Sequence, residues 1–164
     1  PAKIGDIDDL MDLFYRVKNG LAEAGLNQWP DWYPRRKRIE ENIHAEQVFL
    51  HRIDAAPIAT ITLNQIQDPA YRKITWSLHD DSPWVVHRLV VDPGRWGQGL
   101  GKRMMLFAED EVRKQGGGVI RLDTWVGNPG SIALYNSLGY TRAEGYCYFY
   151  GPDQPFACLE KRVD

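Results

Sequence analysis

The chain has 164 residues, 43% of them hydrophobic and 26% charged, with a net charge of −2 and a sequence pI near 6.1. That length fits one domain, 1–164, with a sizeable core. The mild acidity gives no electrostatic case for DNA, RNA or an anionic membrane as the main partner. No apolar run approaches the roughly 18 residues of a membrane span. The opening stretch, "PAKIGDIDDL", lacks the shape of a signal peptide. The two cysteines, Cys147 and Cys158, have no metal-ligand spacing. They read as free thiols in a reducing cytosol rather than as a disulfide between paired strands, so the expectation is a cytoplasmic protein without a metal.

In chain order, "DIDDLMDLFYRVKNGLAEAG" places Leu10, Leu13, Phe14, Val17 and Leu21 at helical spacing, with Asp6 as the N-cap and Gly25 near the stop. "LNQWPDWYP" is a connector rich in proline and aromatics, and "RRKRIEENIHAE" reads as a shorter helix. "QVFLHRI" and "APIATITLNQI" read as an antiparallel pair turning at "DAAP". "DPAYRKITW" is loop-like with a short strand near its end, and "SPWVVHRLVVDP" is a strong strand stopped by Asp92-Pro93. A helix follows in "GKRMMLFAEDEVRKQG", where Leu100, Met104, Ala108 and Val112 repeat along one face. Strand "GVIRLDTW", helix "PGSIALYNSLG" and strands "YCYFY" and "FACLEK" complete the chain. This is a mixed α/β order with one βαβ crossover over 84–124, expected to be right-handed.

Between that strong strand and its helix lies "RWGQGLGKRM", with glycine at 97, 99 and 101. Each glycine weakens a helix by about 1 kcal/mol relative to alanine, so three together need a reason. A helix N-terminus offers free backbone N–H groups and the positive end of the dipole, and glycines let an anion approach them closely. The phosphate loop of nucleotide hydrolases does not fit, because Gly101-Lys102 is followed by Arg103 and Trp96 stands where its first glycine belongs. The dinucleotide fingerprint fails too, since Lys102 and Met104 occupy its third glycine position.

The stretch Trp96-Gly97-Gln98-Gly99-Leu100-Gly101, extended by Lys102 and preceded by Leu89-Val90-Val91-Asp92-Pro93, resembles motif A of the GNAT superfamily of acyl-CoA-dependent N-acyltransferases. One departure is plain: Trp96 stands where that family commonly has Arg or Gln, with Arg95 one place earlier. A second stretch, "NPGSIALYNSLGY", is similar to the family's Asn-x-x-Ala/Ser-x-x-Leu-Tyr-x-x-x-Gly-Phe/Tyr, with Asn128, Ser131, Tyr135 and Gly139 in register. The resemblance covers 85–162 in detail and the first 80 residues only in their order of elements.

The resemblance implies a GNAT-like fold, a central mixed and splayed β-sheet flanked by helices. It implies acetyl-CoA as donor, its pyrophosphate against the glycine loop, its pantetheine arm along the backbone of Leu89 and Val91, and a backbone N–H near Val90 or Val91 as donor to the thioester oxygen. Asn128 contacts the arm in the family, a plain N-cap being its other reading, and Ser131 donates either to the ligand or only to the backbone. The reaction implied is direct attack of a primary amine on the thioester, the acceptor being a small molecule or a peptide. Tyr135 stands where the family places the proton donor to the leaving thiolate, a role its hydroxyl suits; packing alone is the plainer reading. His87 and Asp123 are the candidates for a general base, with a water-relayed base or a structural polar pair as the other readings. Strand alternation puts His87 on one face with Val85, Leu89 and Val91, and Arg88 on the other. Trp29, Trp32 and Tyr33 are expected to border the acceptor by cation–π contact, joined by Arg88 and Tyr146, a satellite cluster under the loop being the plainer reading of the three aromatics. "RRKR" at 35–38 reads as a solvated helix turn rather than a phosphate or nucleic-acid patch. A CoA-binding module without turnover, and an acyltransferase with a longer acyl donor that Trp84 or Trp125 would exclude, are the competing functions. Members of the family often pair into dimers, which leaves a homodimer open, but the sequence reveals no interface.

Overall fold

A computed structural model describes residues 1–164. The helices are α1 (Ile7–Glu23), α2 (Arg36–His44), α3 (Leu100–Lys114) and α4 (Pro129–Ser137). The strands are β1 (Val48–Ile53), β2 (Ala56–Asn64), β3 (Trp84–Val91), β4 (Val119–Trp125), β5 (Thr141–Cys147) and β6 (Phe156–Arg162). They form one mixed sheet in the order β1-β2-β3-β4-β6-β5. Two compact units share the chain, Pro1–Leu63 with Arg88–Met105, and Asn64–His87 with Leu106–Asp164.

In the first unit, α1 turns Leu10, Leu13, Phe14, Val17 and Leu21 into a cluster with Ile39, Ile43, Val48 and Val90. Full burial of each such side chain is worth about 1.5–3 kcal/mol. Asp6 stands at the N-cap of α1, but its carboxylate accepts from the backbone N–H of Lys3 (2.7 Å) and pairs with Arg52 (2.6 Å). It closes a short 3-10 turn at Ile4–Asp6 instead of capping α1. β1 and β2 pair antiparallel across a two-residue turn in which Asp54 and Ala55 both have positive φ (48° and 68°), the twist a tight hairpin requires.

In the second unit, β4 pairs parallel with β3 at Trp84↔Ile120 and Val85↔Arg121, and the ladder stops there. β4 then runs antiparallel to β6 over its whole length. The "DPAYRKITW" segment contains a 3-10 helix, Pro69–Lys73, and touches β5 by a bridge at Thr75↔Glu144. The last hairpin is displaced from the expected one. β5 is Thr141–Cys147, not 146–150, because Gly139 ends α4 with positive φ and the strand begins at once. Strand propensity concentrated in "YCYFY", while the polar "TRAEG" supplies Thr141 and Arg142, two of the four residues that pair with β6.

Candidate active site

The glycine loop belongs to the first unit. Gly97 and Gly99 have φ of +77° and +78°, and a Cβ at either would meet nothing within 4 Å. Their requirement is therefore conformational: the left-handed region costs an L-residue about 1–2 kcal/mol. The open space before them is what a close-approaching ligand needs. Leu100 then starts α3, and Gly101 and Lys102 lie in its first turn. Gln98 is exposed.

Trp96 takes a different part from the Arg or Gln of the resemblance. Its indole N–H donates to the carbonyl of Val91 (2.8 Å), and its ring lies against Gly20 of α1. A carbonyl expected to serve the pantetheine arm thus already accepts one hydrogen bond. Asp92 braces the same turn, accepting from the N–H of Gly94 (2.9 Å) and pairing with Arg16 (2.8 Å).

Strict alternation along β3 fails at Arg88, a non-glycine residue with φ +51°. The kink changes the phase of the strand. Val85 is buried in the second unit's cluster and Val90 in the first unit's. The positive φ at Arg88 interrupts the regular alternation that would carry the face of Val85 and His87 on to Leu89 and Val91. The Arg88 guanidinium donates to Asn42 on α2, and its Nε is buried without a partner.

Trp29 packs partly into the first core beside Phe14 (6.5 Å) and Tyr33 (5.1 Å). Trp32 is 51% exposed, with the Arg35 guanidinium 4.5 Å over its ring. Of the "RRKR" residues, Arg36 pairs with Asp8 and Glu40, and Arg38 with Glu41. These pairs neutralise two of the four basic residues in that run.

The second unit holds the titratable cluster. Asp123, half-buried on β4, accepts from the Tyr71 hydroxyl (2.6 Å). Burial pushes its carboxyl up to about 6, against the Tyr71 hydrogen bond, which lowers it. The His87 ring meets Asn64 Oδ1 at 3.0 Å. Asn128 caps α4, accepting from the N–H of Ser131 (3.2 Å), so its plain structural role is real. Tyr135 is buried on α4, its ring 6.1 Å from that of Tyr140. Burial and then the Asp123 charge raise its hydroxyl well above the ordinary value, so it stays protonated. Tyr146 is 45% exposed under the Arg142 guanidinium (4.8 Å). Cys147 and Cys158 are free and buried, their sulfurs 3.5 Å apart.

Asp123 and Tyr135, named from sequence, thus share one electrostatic neighbourhood. Tyr71 is the member that sequence reading missed. Its only signal was Asp68-Pro69, a turn start whose Asp68 carboxylate accepts from the N–H of Ala70 (2.8 Å) and opens the 3-10 helix that carries it. Asn42 and Asn64 were also unread; neither carries a motif. Trp84 and Trp125 lie against Gly117 and Gly127. Each fills the space a side chain at its glycine would need.

Residues 8–140 match the model of the Acetyltransferase (GNAT) family. The [ribosomal protein bS18]-alanine N-acetyltransferase of Escherichia coli K12 is 38% identical over 114 residues, which cover 67% of this chain and 75% of that protein. An uncharacterized N-acetyltransferase of Methanocaldococcus jannaschii is 24% identical over 145 residues, 85% of this chain but 58% of its own length. The crystal structure of a GNAT-family acetyltransferase from Streptococcus agalactiae superposes with a TM-score of 0.81 at 22% identity, over 99% of this chain and 93% of that one. No helix is long and apolar enough to cross a membrane.

Proposed function

The chain belongs to the Acetyltransferase (GNAT) family, and on that premise we propose that it transfers an acetyl group from acetyl-CoA to a primary amine by direct attack. The observation that carries this reading is the pair of left-handed glycines, Gly97 and Gly99, directly ahead of α3. Their open backbone fits a pyrophosphate. Acetyl-CoA supplies an activated thioester carbon. The acceptor nitrogen forms a bond to that carbon, the carbon–sulfur bond breaks, and the nitrogen loses one proton. Asp123 takes that proton, and the Tyr135 hydroxyl gives one to the departing thiolate. Asp123 is preferred to His87 because burial has already brought its carboxyl to about 6, where it is mostly ionised at neutral pH yet basic enough to accept.

A polypeptide N-terminus is the acceptor to try first, since the Escherichia coli relative is named for the alanine of a ribosomal protein. The test is thiol release from acetyl-CoA across amines and N-terminal-alanine peptides, with Tyr135→Phe beside wild type. Release that depends on one acceptor and falls about 10²-fold in the variant supports the reading. Acetyl-CoA binding without release by any acceptor replaces it with a CoA-binding module.

A further inference from the structure

We infer that Tyr71 is a positioning residue for acetyl transfer, its phenol aiming the Asp123 carboxylate and keeping it ionised, and that the buried pair Arg121–Glu160 exists to hold Tyr71 in place. This rests on the reading of Asp123 as the base.

The geometry comes first. Tyr71 is 3% exposed and spends its hydroxyl on Asp123 Oδ2, so Oδ1 remains to accept another proton. The segment that carries Tyr71 contains no strand, yet it is pinned throughout. Glu160, 1% exposed on β6, accepts from the N–H groups of Ser77 (2.6 Å) and Leu78 (3.2 Å). Arg121, its partner across β4–β6, donates to Gln67 Oε1 (2.7 Å) and the Leu78 carbonyl (3.2 Å), and lies 4.4 Å over the Trp76 ring. Trp76 in turn donates its indole N–H to the Tyr71 carbonyl (3.2 Å) and packs its ring 5.2 Å from the Tyr71 ring. A buried pair of opposite charges such as Arg121 and Glu160, which face each other across β4–β6 without a direct salt bridge, is rarely the cheapest way to build a core, because desolvation offsets its attraction. Here its hydrogen bonds go to the two ends of one loop, and the middle of that loop delivers a phenol to a carboxylate.

The groups acting on Asp123 come from several elements. The 3-10 segment brings Tyr71, whose hydrogen bond favours the ionised form, and Asp68, whose charge opposes it. Tyr135 of α4, Cys147 of β5 and Cys158 of β6 feel the Asp123 charge; burial holds Tyr135 protonated, and the hydrogen bond with Cys147, then burial, holds Cys158 so. Tyr71 is the neighbour that donates to the carboxylate.

The experiment uses the full chain in two arms. Infrared titration, wild type minus Asp123→Asn, follows the protonated carboxyl of Asp123 without any ligand. The expected midpoint is about 6 in wild type, higher in Tyr71→Phe, and lower when 3-fluorotyrosine, a stronger donor, occupies position 71. The fluorinated protein keeps the test available if the phenylalanine variant fails to fold. In the second arm the acid limb of kcat/KM for thiol release moves with that midpoint, a change that general loosening of the fold would not produce. An unmoved midpoint overturns the inference and leaves acetyl transfer standing. Full turnover in Asp123→Asn removes the base and the inference with it, again leaving acetyl transfer standing. No acetyl-CoA-dependent release in wild type overturns the proposed function, while the infrared midpoint still decides whether Tyr71 governs Asp123.

Discussion

Asp123 is a residue whose chemistry and stability pull in opposite directions. Its carboxyl sits near 6 in the fold against an ordinary 3.8. The native state therefore binds this proton more tightly than the unfolded chain between those two values. Stability is greatest with the proton on, declines as pH rises through that window, and stays lower above it. The difference is worth about 3 kcal/mol at neutral pH. Asp123→Asn is accordingly expected to raise the melting temperature at pH 7, to change little at pH 4, and to lower kcat/KM by about 10²–10⁴-fold. Calorimetry at both pH values and a rate assay check this; a variant less stable at pH 7 contradicts the burial account. Of the sequence candidates His87, Asp123 and Tyr135, the proposed mechanism uses the last two, which lie on the strand before the second motif and within it. Tyr71 could not be named from sequence, because its partner is 52 residues away and only the fold brings it there. The facing of Arg88 was illegible for a related reason. Alternation presumes a regular strand, and a φ of +51° at Arg88 breaks it.

At the scale of elements, the glycine loop makes the sharpest claim. Gly97→Ala and Gly99→Ala add a methyl into open space, so any loss comes from the backbone and not from a clash. Each is expected to cost about 1 kcal/mol of stability and to weaken acetyl-CoA binding, read by isothermal titration. Equal affinity in both variants would show that the loop is only a turn. Trp96→Phe is a milder case. It removes the indole N–H from the Val91 carbonyl, so it should weaken acetyl-CoA binding if that bond braces the loop, and strengthen it if the bond competes with the ligand. Helices and most strands were legible because their apolar spacing is strong. β5 was not: its pairing is set by Gly139 and by the β6 register, while its own residues carry little strand propensity.

For the whole molecule, the mixed α/β class was legible from the order of elements alone. A net charge of −2 is too small to rank acceptors. A ligand that binds only the folded chain stabilises it by mass action, about 2.7 kcal/mol at 100 times its Kd. Acetyl-CoA is therefore expected to raise the melting temperature by about 5–10 °C for a chain of this size. Desulfo-CoA lacking the acetyl group should do nearly as well, and adenosine much less; a scan with each ligand reads this directly. The acceptor was illegible because the connector that carries Trp29, Trp32 and Tyr33 holds no motif, and its rings already pack on one another.

The central claim is acetyl transfer with Tyr135 as the proton donor. The most direct measurement is acetyl-CoA-dependent thiol release over the acceptor panel, wild type against Tyr135→Phe, with acetyl-CoA affinity measured for both. The account predicts release stimulated by a primary amine, a fall of about 10²-fold in the variant, and unchanged affinity. Equal rates in the two proteins would contradict the role of Tyr135, and binding without release by any amine would contradict the enzyme itself.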